Sequence, residues 1–292
     1  MTSFDRRLTP ARPDLAADFL KGKVEADRFV AAERSRVAVA VADLRAEPRS
    51  DCGLDTQAVF GEDVDVFERD SEGWAWVQLK RDGYVGYLSS DALGPADPAP
   101  THRVTALRTF VYPGPDMKLP AVGQLTEGAR VTLTGTVERR GLVYGLLPDG
   151  RAIVASHLAP EAVPAEADFV AVAERYVGTP YLWGGRTALG IDCSGLVQSA
   201  LAAAGIAAPR DTDMQEAALG APVDWKGGIA DLKRGDLVFW KGHVGIVSGS
   251  NRLLHANGHH MLTVVEPLDG AIRRIAEAGQ PVRSIRRLVE RL

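Results

Sequence analysis

The stretch that decides the fold reads Tyr181-Leu-Trp-Gly-Gly-Arg-Thr-Ala-Leu-Gly-Ile-Asp-Cys-Ser-Gly-Leu196. Its first half is rich in aromatic residues and glycine, and its end opens an apolar run over residues 196–204 that stops at Gly205. An apolar run with a glycine stop predicts a helix, which puts Cys193 at or just before a helix N-terminus. There the unpaired N–H groups and the helix dipole favour a thiolate, so we expect a lowered pKa for Cys193.

A buried structural cysteine is the alternative interpretation of Cys193, because a free cysteine packs as a small hydrophobic residue. That alternative leaves the glycines around it unexplained. Glycine allows backbone or substrate to approach closely, and Gly184, Gly185 and Gly195 all lie in this short stretch. The composition therefore favours a functional cysteine.

Two histidines downstream lie in apolar segments that are typical of strands. Residues 235–240 and 242–247 form two strand patterns joined by a turn, and 252–256 form a third. His243 and His255 would then lie on neighbouring antiparallel strands. If they share a face, one takes the thiol proton and the other orients its ring, as in a cysteine hydrolase. Each histidine alone could be a core residue, but the pair behind a helix-start cysteine favours catalysis.

Five motifs in the C-terminal half occur in a specific order. They are Tyr181-Leu-Trp-Gly-Gly, Asp192-Cys-Ser-Gly-Leu196, Arg234-Gly-Asp-Leu-Val-Phe-Trp240, His243-Val-Gly-Ile-Val247 and Leu254-His-Ala256. This ordered set resembles the NlpC/P60 family of cell-wall cysteine peptidases. The resemblance implies a papain-like α+β catalytic domain over residues 165–292.

The resemblance also implies roles for individual residues. Cys193 would be the nucleophile, His243 the base and His255 the orienting group, although the family often has another polar residue in that third place. The oxyanion would face the Cys193 backbone N–H at the helix start, with Tyr181 as a further donor. Trp183 and Ser194 would line the cleft.

The N-terminal half contains an internal repeat of short strand patterns. The patterns at 61–66, 74–79 and 82–87 return at 127–133, 142–147 and 149–154, and a proline-rich linker at 94–100 separates the copies. Both copies resemble bacterial SH3 domains. We therefore predict a lead-in over 1–35 with a short helix at 14–20, then SH3-like β-barrels over 36–95 and 101–160. A second linker at 161–164 precedes the catalytic domain.

Substrate-binding residues are implied by the branch of the family that cleaves free murein peptides. In that branch the first barrel closes the active site and supplies a Glu and a Tyr, which fall at Glu62 and Tyr84 here. An Asp followed by a hydroxyl residue binds the free amine and the γ-glutamyl part, which matches Asp211 and Thr212. Glu62 aligns with Ala129 in the second copy, and Tyr84 with Arg151. Asp213 is left as the predicted cap of the next helix.

Composition limits the partners and the compartment. The formal net charge of −4 over 292 residues argues against nucleic acid or an anionic membrane as a partner. The N-terminus lacks the apolar segment of a signal peptide, and two cysteines, Cys52 and Cys193, suit a reducing compartment, so we expect a cytoplasmic protein.

His259 and His260 lie near His255 in sequence, but Asn257 and Gly258 interrupt any helix. We expect no metal and no cofactor. The sequence has no pattern that specifies an oligomeric state.

The resemblance to this branch of the NlpC/P60 family implies a γ-D-glutamyl-L-diamino-acid endopeptidase. Its substrate would be a murein peptide with a free N-terminal L-Ala, and the amino acid after γ-D-Glu would be meso-diaminopimelate or Lys. An exported endopeptidase on intact peptidoglycan, a papain-like acyltransferase or amidase, and a wall-binding module with an inactive peptidase domain are the alternatives. Both Cys193 and His243 are present, which disfavours the last of these.

A helix at 168–177, another at 271–278 and a strand at 282–288 complete the predicted catalytic domain.

Overall fold

A computed structural model describes residues 4–164 and 166–288 of the chain. It divides into two compact units, Met1–Ala162 and Val163–Leu292, and the division falls inside the predicted linker at 161–164. The strands described in the first unit are β1 Leu15–Ala17, β2 Arg28–Val30, β3 Glu33–Val37, β4 Val41–Arg45, β5 Leu54–Val59, β6 Asp63–Arg69, β7 Trp74–Leu79, β8 Val85–Ser89, β9 Leu93–Pro95, β10 His102–Val104, β11 Arg108–Val111, β12 Gly123–Thr126, β13 Arg130–Val131, β14 Gly135–Arg139, β15 Leu142–Leu146, β16 Ala152–Val154 and β17 Leu158–Pro160.

The first repeat forms one sheet with the strand order β5-β4-β8-β7-β6-β3-β9. Its inward-facing residues, among them Val64, Val77 and Leu88, make a hydrophobic core of their own. Val37, Val39 and Val41 alternate with small residues, which is typical of one half-buried strand. In the structure β3 ends at Val37 and β4 begins at Val41, while Val39 is 37% exposed. The two halves pair with different neighbours, so the chain has to turn between them.

The predicted helix at 14–20 is wrong. Leu15–Ala17 is the strand β1, which pairs in parallel with β2, and a 3₁₀ turn follows at Asp18–Leu20. All three residues of β1 are buried, and Leu15 packs in a cluster with Phe67 and Trp76 of the first repeat. A helix would bury one face of this segment only, so tertiary packing overrides the local helix preference of Leu and Ala.

The second repeat packs around another hydrophobic cluster, which includes Val111, Val131 and Ile153 and also Val59 of the first repeat. Its strands form smaller sheets, with the orders β13-β10-β17, β11-β12 and β14-β15-β16. Like the first repeat, it ends in a 3₁₀ turn followed by a short strand: Ser90–Ala92 then β9, and Ala155–His157 then β17. That the second copy is a full SH3-like barrel stays a prediction.

The two copies share the turns on which their alignment rests. Gly61 and Gly128 both have a positive φ, of 80° and 85°, and directly precede Glu62 and Ala129. In each turn the residue after the glycine donates its N–H to the carbonyl three residues earlier. The matched geometry shows that Glu62 and Ala129 occupy corresponding positions.

The second unit contains four helices and a six-stranded antiparallel sheet among the residues described. Its elements are α1 Phe169–Glu174, β18 Arg186–Thr187, β19 Gly190–Ile191, α2 Cys193–Ala203, α3 Thr212–Ala218, β20 Ala221–Pro222, β21 Leu237–Trp240, β22 His243–Gly249, β23 Arg252–Asn257, β24 Leu262–Pro267, α4 Leu268–Glu277 and β25 Ser284–Arg287. The sheet order is β20-β25-β21-β22-β23-β24. Predicted elements at 168–177, 271–278 and 282–288 correspond to α1, α4 and β25, with ends shifted by a few residues.

One hydrophobic cluster of the second unit lies between this sheet and the helix α4. Val238, Trp240 and Leu253 of the sheet are buried in one cluster with Leu268 and Ala271 of the helix. Among the described residues no helix combines the length and the apolar character that spanning a membrane requires.

Candidate active site

Cys193 is the first residue of α2, so its predicted place at a helix N-terminus is confirmed. The preceding residue, Asp192, caps the helix: its Oδ1 accepts a hydrogen bond from the Gly195 backbone N–H at 2.7 Å. The other carboxylate oxygen, Oδ2, accepts from the Gly184 backbone N–H at 2.9 Å. One side chain therefore ties the glycine-rich loop to the helix that carries the thiol.

The glycines of this stretch are needed for close packing. A Cβ atom on Gly195 would lie 2.4 Å from the carbonyl oxygen of Gly185, and one on Gly185 would lie 2.6 Å from the carbonyl oxygen of Gly190. Both neighbours are backbone atoms, which have little freedom to move away. The loop is thus pressed against the start of α2, as the glycine content suggested.

Arg210 forms a buried ion pair beneath the cysteine, which the sequence analysis did not identify. Its guanidinium donates to both oxygens of Asp192, at 3.0 and 2.6 Å, and to the carbonyl oxygen of Gly185 at 3.3 Å. The Arg210 side chain is 1% exposed. An arginine in a polar loop is usually solvated, so only its place in the fold reveals this role.

Ser194 lies in the same network, which corrects the expectation that its hydroxyl faces the cleft. The hydroxyl accepts from Nη1 of Arg210 at 2.8 Å and donates to Oδ1 of Asp192 at 3.3 Å. The residue is 5% exposed. Its hydroxyl supports the ion pair.

The two predicted histidines are brought together on one face of the sheet. Strands β22 and β23 pair antiparallel, and Nε2 of His243 lies 2.9 Å from Nδ1 of His255. A Cβ on Gly245 would lie 2.6 Å from Leu253 and 3.4 Å from the Cβ of His255, so a side chain at 245 would crowd the pair. The Val244 backbone N–H hydrogen-bonds the Cys193 thiol, which places the start of β22 against the nucleophile. Nδ1 of His243 is the ring nitrogen left for a proton from the thiol.

Glu266 and Arg274 extend the histidine pair and were missed from the sequence. Nε2 of His255 lies 2.7 Å from Oε1 of Glu266, and both guanidinium Nη atoms of Arg274 donate to Glu266 at 2.6 Å. Strand β24 pairs with β23 so that His255 faces Val264. Glu266 is two residues further along β24 and therefore on the same face. A lone carboxylate in an otherwise apolar strand is the signal that could have found it.

Burial controls the protonation of the Cys193–His243 pair. Burial raises the pKa of Cys193 to about 11, with the Asp192 charge adding to the effect. Burial also lowers the pKa of His243 to about 3. The expectation of a lowered thiol pKa is therefore wrong, because loss of solvent around the sulfur outweighs the stabilising effect of the helix start. Both shifts favour the uncharged forms, a thiol and an imidazole, over a thiolate and an imidazolium.

Other predicted cleft residues surround the thiol. Thr212 Oγ1 lies 3.9 Å from Cys193 Sγ. Tyr181 is partly buried, and burial together with the charges at Cys193 and Asp192 raises the pKa of its phenol. Trp183 is 68% exposed, so its ring is presented to solvent. Tyr181 and Thr212 are thus close to Cys193, and the predicted place of Trp183 along the cleft stays a prediction.

The helix α3 is capped differently from the prediction. Its N-cap residue is Asp211, whereas Asp213 lies in the first turn. The Asp211 side chain makes no capping hydrogen bond. The assignment of Asp213 as the cap is therefore wrong.

Glu62 and Tyr84 lie in the first unit, where both are 3% exposed. Glu62 accepts a hydrogen bond from the Val59 backbone N–H at 3.1 Å and pairs with Arg81 at 3.2 Å. Tyr84 belongs to the core of the first repeat. Their predicted part in substrate binding stays a prediction.

Acidic, histidine and cysteine side chains form no metal-binding cluster within residues 4–164 and 166–288. His259 and His260 stack edge to face, and His260 hydrogen-bonds Asn257. These contacts account for the two loop histidines that the sequence placed near His255.

Comparison with known protein families gives two matches. Residues 178–274 match the NlpC/P60 family, and residues 44–93 match the bacterial dipeptidyl-peptidase SH3 domain. The NlpC/P60 match begins shortly before the glycine-rich loop and ends at Arg274. It therefore contains the connected side chains of His243, His255, Glu266 and Arg274, which we call the histidine relay.

Individual relatives are similar over one or both units. The chain is 29% identical to a γ-D-glutamyl-L-lysine dipeptidyl-peptidase of Bacillus subtilis over 226 residues, which are 70% of this chain and 72% of the relative. It is 32% identical to a probable endopeptidase NlpC homolog of Haemophilus influenzae over 44% of this chain and 70% of the relative. A crystal structure of an NlpC/P60 family protein from Bacillus cereus has the same fold over 88% of this chain and all of its own, with a TM-score of 0.72 and 22% identity.

These matches, with the thiol and the histidines already described, define the class of enzyme: the protein is a cysteine peptidase. It belongs to the NlpC/P60 family, as its motifs suggested, and an SH3-like domain precedes its peptidase domain.

Proposed function

We propose that the protein hydrolyses the γ-D-glutamyl-L-diamino-acid bond of murein peptides that carry a free N-terminal L-Ala. The similarity to the B. subtilis γ-D-glutamyl-L-lysine dipeptidyl-peptidase, which extends over both units, supports this substrate class. The observation that carries the proposal is local. Oγ1 of Thr212 lies 3.9 Å from the Cys193 thiol, and the carboxylate of Asp211 immediately precedes Thr212 at the N-cap of α3.

In the first step Cys193 attacks the γ-carbonyl carbon of D-glutamate. His243 takes the thiol proton on Nδ1 while its Nε2 is held by His255. Because the resting pair is neutral, this proton moves as the sulfur–carbon bond forms. The negative charge that develops on the carbonyl oxygen is stabilised by the backbone N–H at the start of α2, with Tyr181 as a further donor.

In the second step the carbon–nitrogen bond breaks. His243 gives its proton to the amine of the leaving diamino acid and leaves a thioester between Cys193 and the γ-glutamyl group. A water molecule then loses a proton to His243 and attacks the thioester. The dipeptide L-Ala-γ-D-Glu is released, and the neutral thiol returns.

Recognition of a free amine is assigned to Asp211. A carboxylate beside the nucleophile forms a charge-assisted hydrogen bond with an ammonium group. A blocked amine would leave that carboxylate desolvated and unpaired, so the enzyme would discriminate strongly against acylated peptides. Such selectivity separates an enzyme of peptide recycling from one that cuts intact wall.

We place the reaction in the cytoplasm. Both cysteines are free, Cys52 in the first unit and Cys193 in the second, which suits a reducing compartment. Released murein peptides with free amines would be the substrates there. Fractionation of cells that express the protein tests this placement, and recovery in the extracellular or wall fraction would contradict it.

The decisive experiment compares L-Ala-γ-D-Glu-L-Lys and L-Ala-γ-D-Glu-meso-diaminopimelate with their N-acetylated forms, with Cys193→Ala as the control. We expect cleavage of the free peptides only, and the better of the two free peptides identifies the preferred diamino acid. Equal cleavage of free and acetylated peptides would overturn amine recognition. Cleavage of neither would overturn the proposed substrate and favour the acyltransferase or amidase alternative.

A further inference from the structure

Four ionisable side chains form an unbroken row that leads away from the thiol. His243 contacts His255 at 2.9 Å, His255 contacts Glu266 at 2.7 Å, and Glu266 contacts Arg274 at 2.6 Å. His255 and Glu266 are largely buried, with 0% and 13% of their side chains exposed. No family position inferred from the motifs corresponds to Glu266 or Arg274.

Glu266 is an anion in this row. Arg274 donates one hydrogen bond to each of its two oxygens, in the paired geometry that a guanidinium makes with an ionised carboxylate. The pKa of Glu266 is lowered by its hydrogen bonds to His255 and Arg274, against the opposing effect of burial. An ionised carboxylate only accepts hydrogen bonds, so the nitrogen of His255 that faces it has to carry a proton.

The direction of every proton in the row follows from that one charge. With Nε2 of His255 protonated, a neutral His255 has a bare Nδ1, which can only accept. Nε2 of His243 must then carry the proton shared between the two rings. A neutral His243 protonated on Nε2 has a bare Nδ1, which is the form that can take the thiol proton.

We propose that Glu266, held by Arg274, is a positioning residue that sets the tautomers of both histidines and so keeps Nδ1 of His243 able to act as the base. This inference rests on the proposed role of His243. It predicts that the charge of Glu266 matters more than the ion pair it forms. A purely structural salt bridge would make the two partners equally important.

Two substitutions separate these possibilities. Glu266→Gln keeps size and shape but offers an amide. Because Arg274 is a donor only, it holds the amide oxygen and turns the amide N–H₂ toward His255. Nε2 of His255 then has to accept from the amide, so the proton of His255 moves to Nδ1 and is donated to Nε2 of His243. This leaves the proton of His243 on Nδ1, which can no longer act as the base. Arg274→Met removes the ion pair but leaves the acceptor in place. Glu216→Gln is the matched control, because Glu216 is 14% exposed and also accepts a hydrogen bond and faces an arginine, away from the relay.

The first measurement is kcat and KM of the full chain on L-Ala-γ-D-Glu-L-Lys. We expect Glu266→Gln to lower kcat by about 10² or more, the usual effect of losing a general base, with KM nearly unchanged. Arg274→Met should lower kcat by about tenfold at most, and Glu216→Gln should leave it unchanged. Equal losses for Glu266→Gln and Arg274→Met, or wild-type kcat in Glu266→Gln, would overturn the inference.

The second measurement does not depend on the substrate. ¹⁵N NMR of histidine-labelled protein identifies which ring nitrogen carries the proton. We expect His243 and His255 to be protonated on Nε2 in the wild type and on Nδ1 in Glu266→Gln. The same tautomers in both proteins would overturn the inference. If the wild type does not cleave the peptide but the tautomers change as expected, the proposed substrate fails while the tautomer assignment stands.

Discussion

The guanidinium of Arg210 lies 2.6 Å from Oδ2 of Asp192, and their side chains are only 1% and 10% exposed. The pair lies between the glycine-rich loop and the start of α2, so it holds the segment that carries the nucleophile. A buried ion pair is costly to break from one side, because the partner is left as an unpaired charge without solvent.

Arg210→Met should therefore destabilise the protein by about 3–5 kcal/mol, measured by urea unfolding. Arg273→Met is the control in the same unit. Arg273 faces Asp269 at 3.9 Å with both side chains well exposed, so its loss should cost less than about 1 kcal/mol. Similar unfolding midpoints for the two variants would show that the buried pair does not stabilise the loop.

A glycine pair tests the close packing of the cysteine loop. Gly195→Ala should destabilise the protein by about 1–3 kcal/mol and reduce activity, because its Cβ would lie 2.4 Å from a backbone oxygen. Gly270→Ala in α4 should instead stabilise the protein. A Cβ at position 270 would lie 3.8 Å from the Cβ of Pro267, so the gain in helix propensity should stabilise the protein by about 0.5–1 kcal/mol. Thermal unfolding of both variants distinguishes packing from propensity.

The ionisation of the thiol can be measured in the free enzyme. A pKa of Cys193 raised to about 11 and a pKa of His243 lowered to about 3 mean that both groups are neutral at pH 7. Thiolate absorbance, taken as the difference between a Cys52→Ser protein and the same protein with Cys193→Ala, should rise only at strongly alkaline pH. A constant thiolate signal from mildly acidic pH upward would instead indicate a thiolate–imidazolium pair.

The free-amine site can be tested on α3. Asp211→Asn should raise KM for L-Ala-γ-D-Glu-L-Lys by about tenfold or more, since the charge-assisted bond to the ammonium is lost. Asp213→Asn is the control, because Asp213 lies two residues further along, in the first turn of α3. An equal rise in KM for both variants would point to general electrostatic attraction and away from a defined amine site.

The motifs predicted the peptidase domain well because its chemistry depends on local sequence. Glycine, aromatic residues and an N-cap aspartate around Cys193 specify a loop and a helix start. Alternating apolar residues around His243 and His255 specify two strands. The segment 14–20 was predicted wrongly because its conformation does not depend on local sequence. Its apolar residues are buried in a cluster with Trp76, and that packing decides its conformation.

Sequence alone placed Cys193 at a helix start and His243 and His255 on neighbouring strands, because each is marked by the element in which it lies. Only the tertiary structure decided what surrounds them. Glu266 lies beside His255 because of the register between β23 and β24. The fold also brings Arg210 into contact with Asp192, although the two are well separated in sequence. Burial, which is a property of the assembled domain, also raises the pKa of the thiol, since solvent exclusion around the sulfur outweighs the local field of the helix.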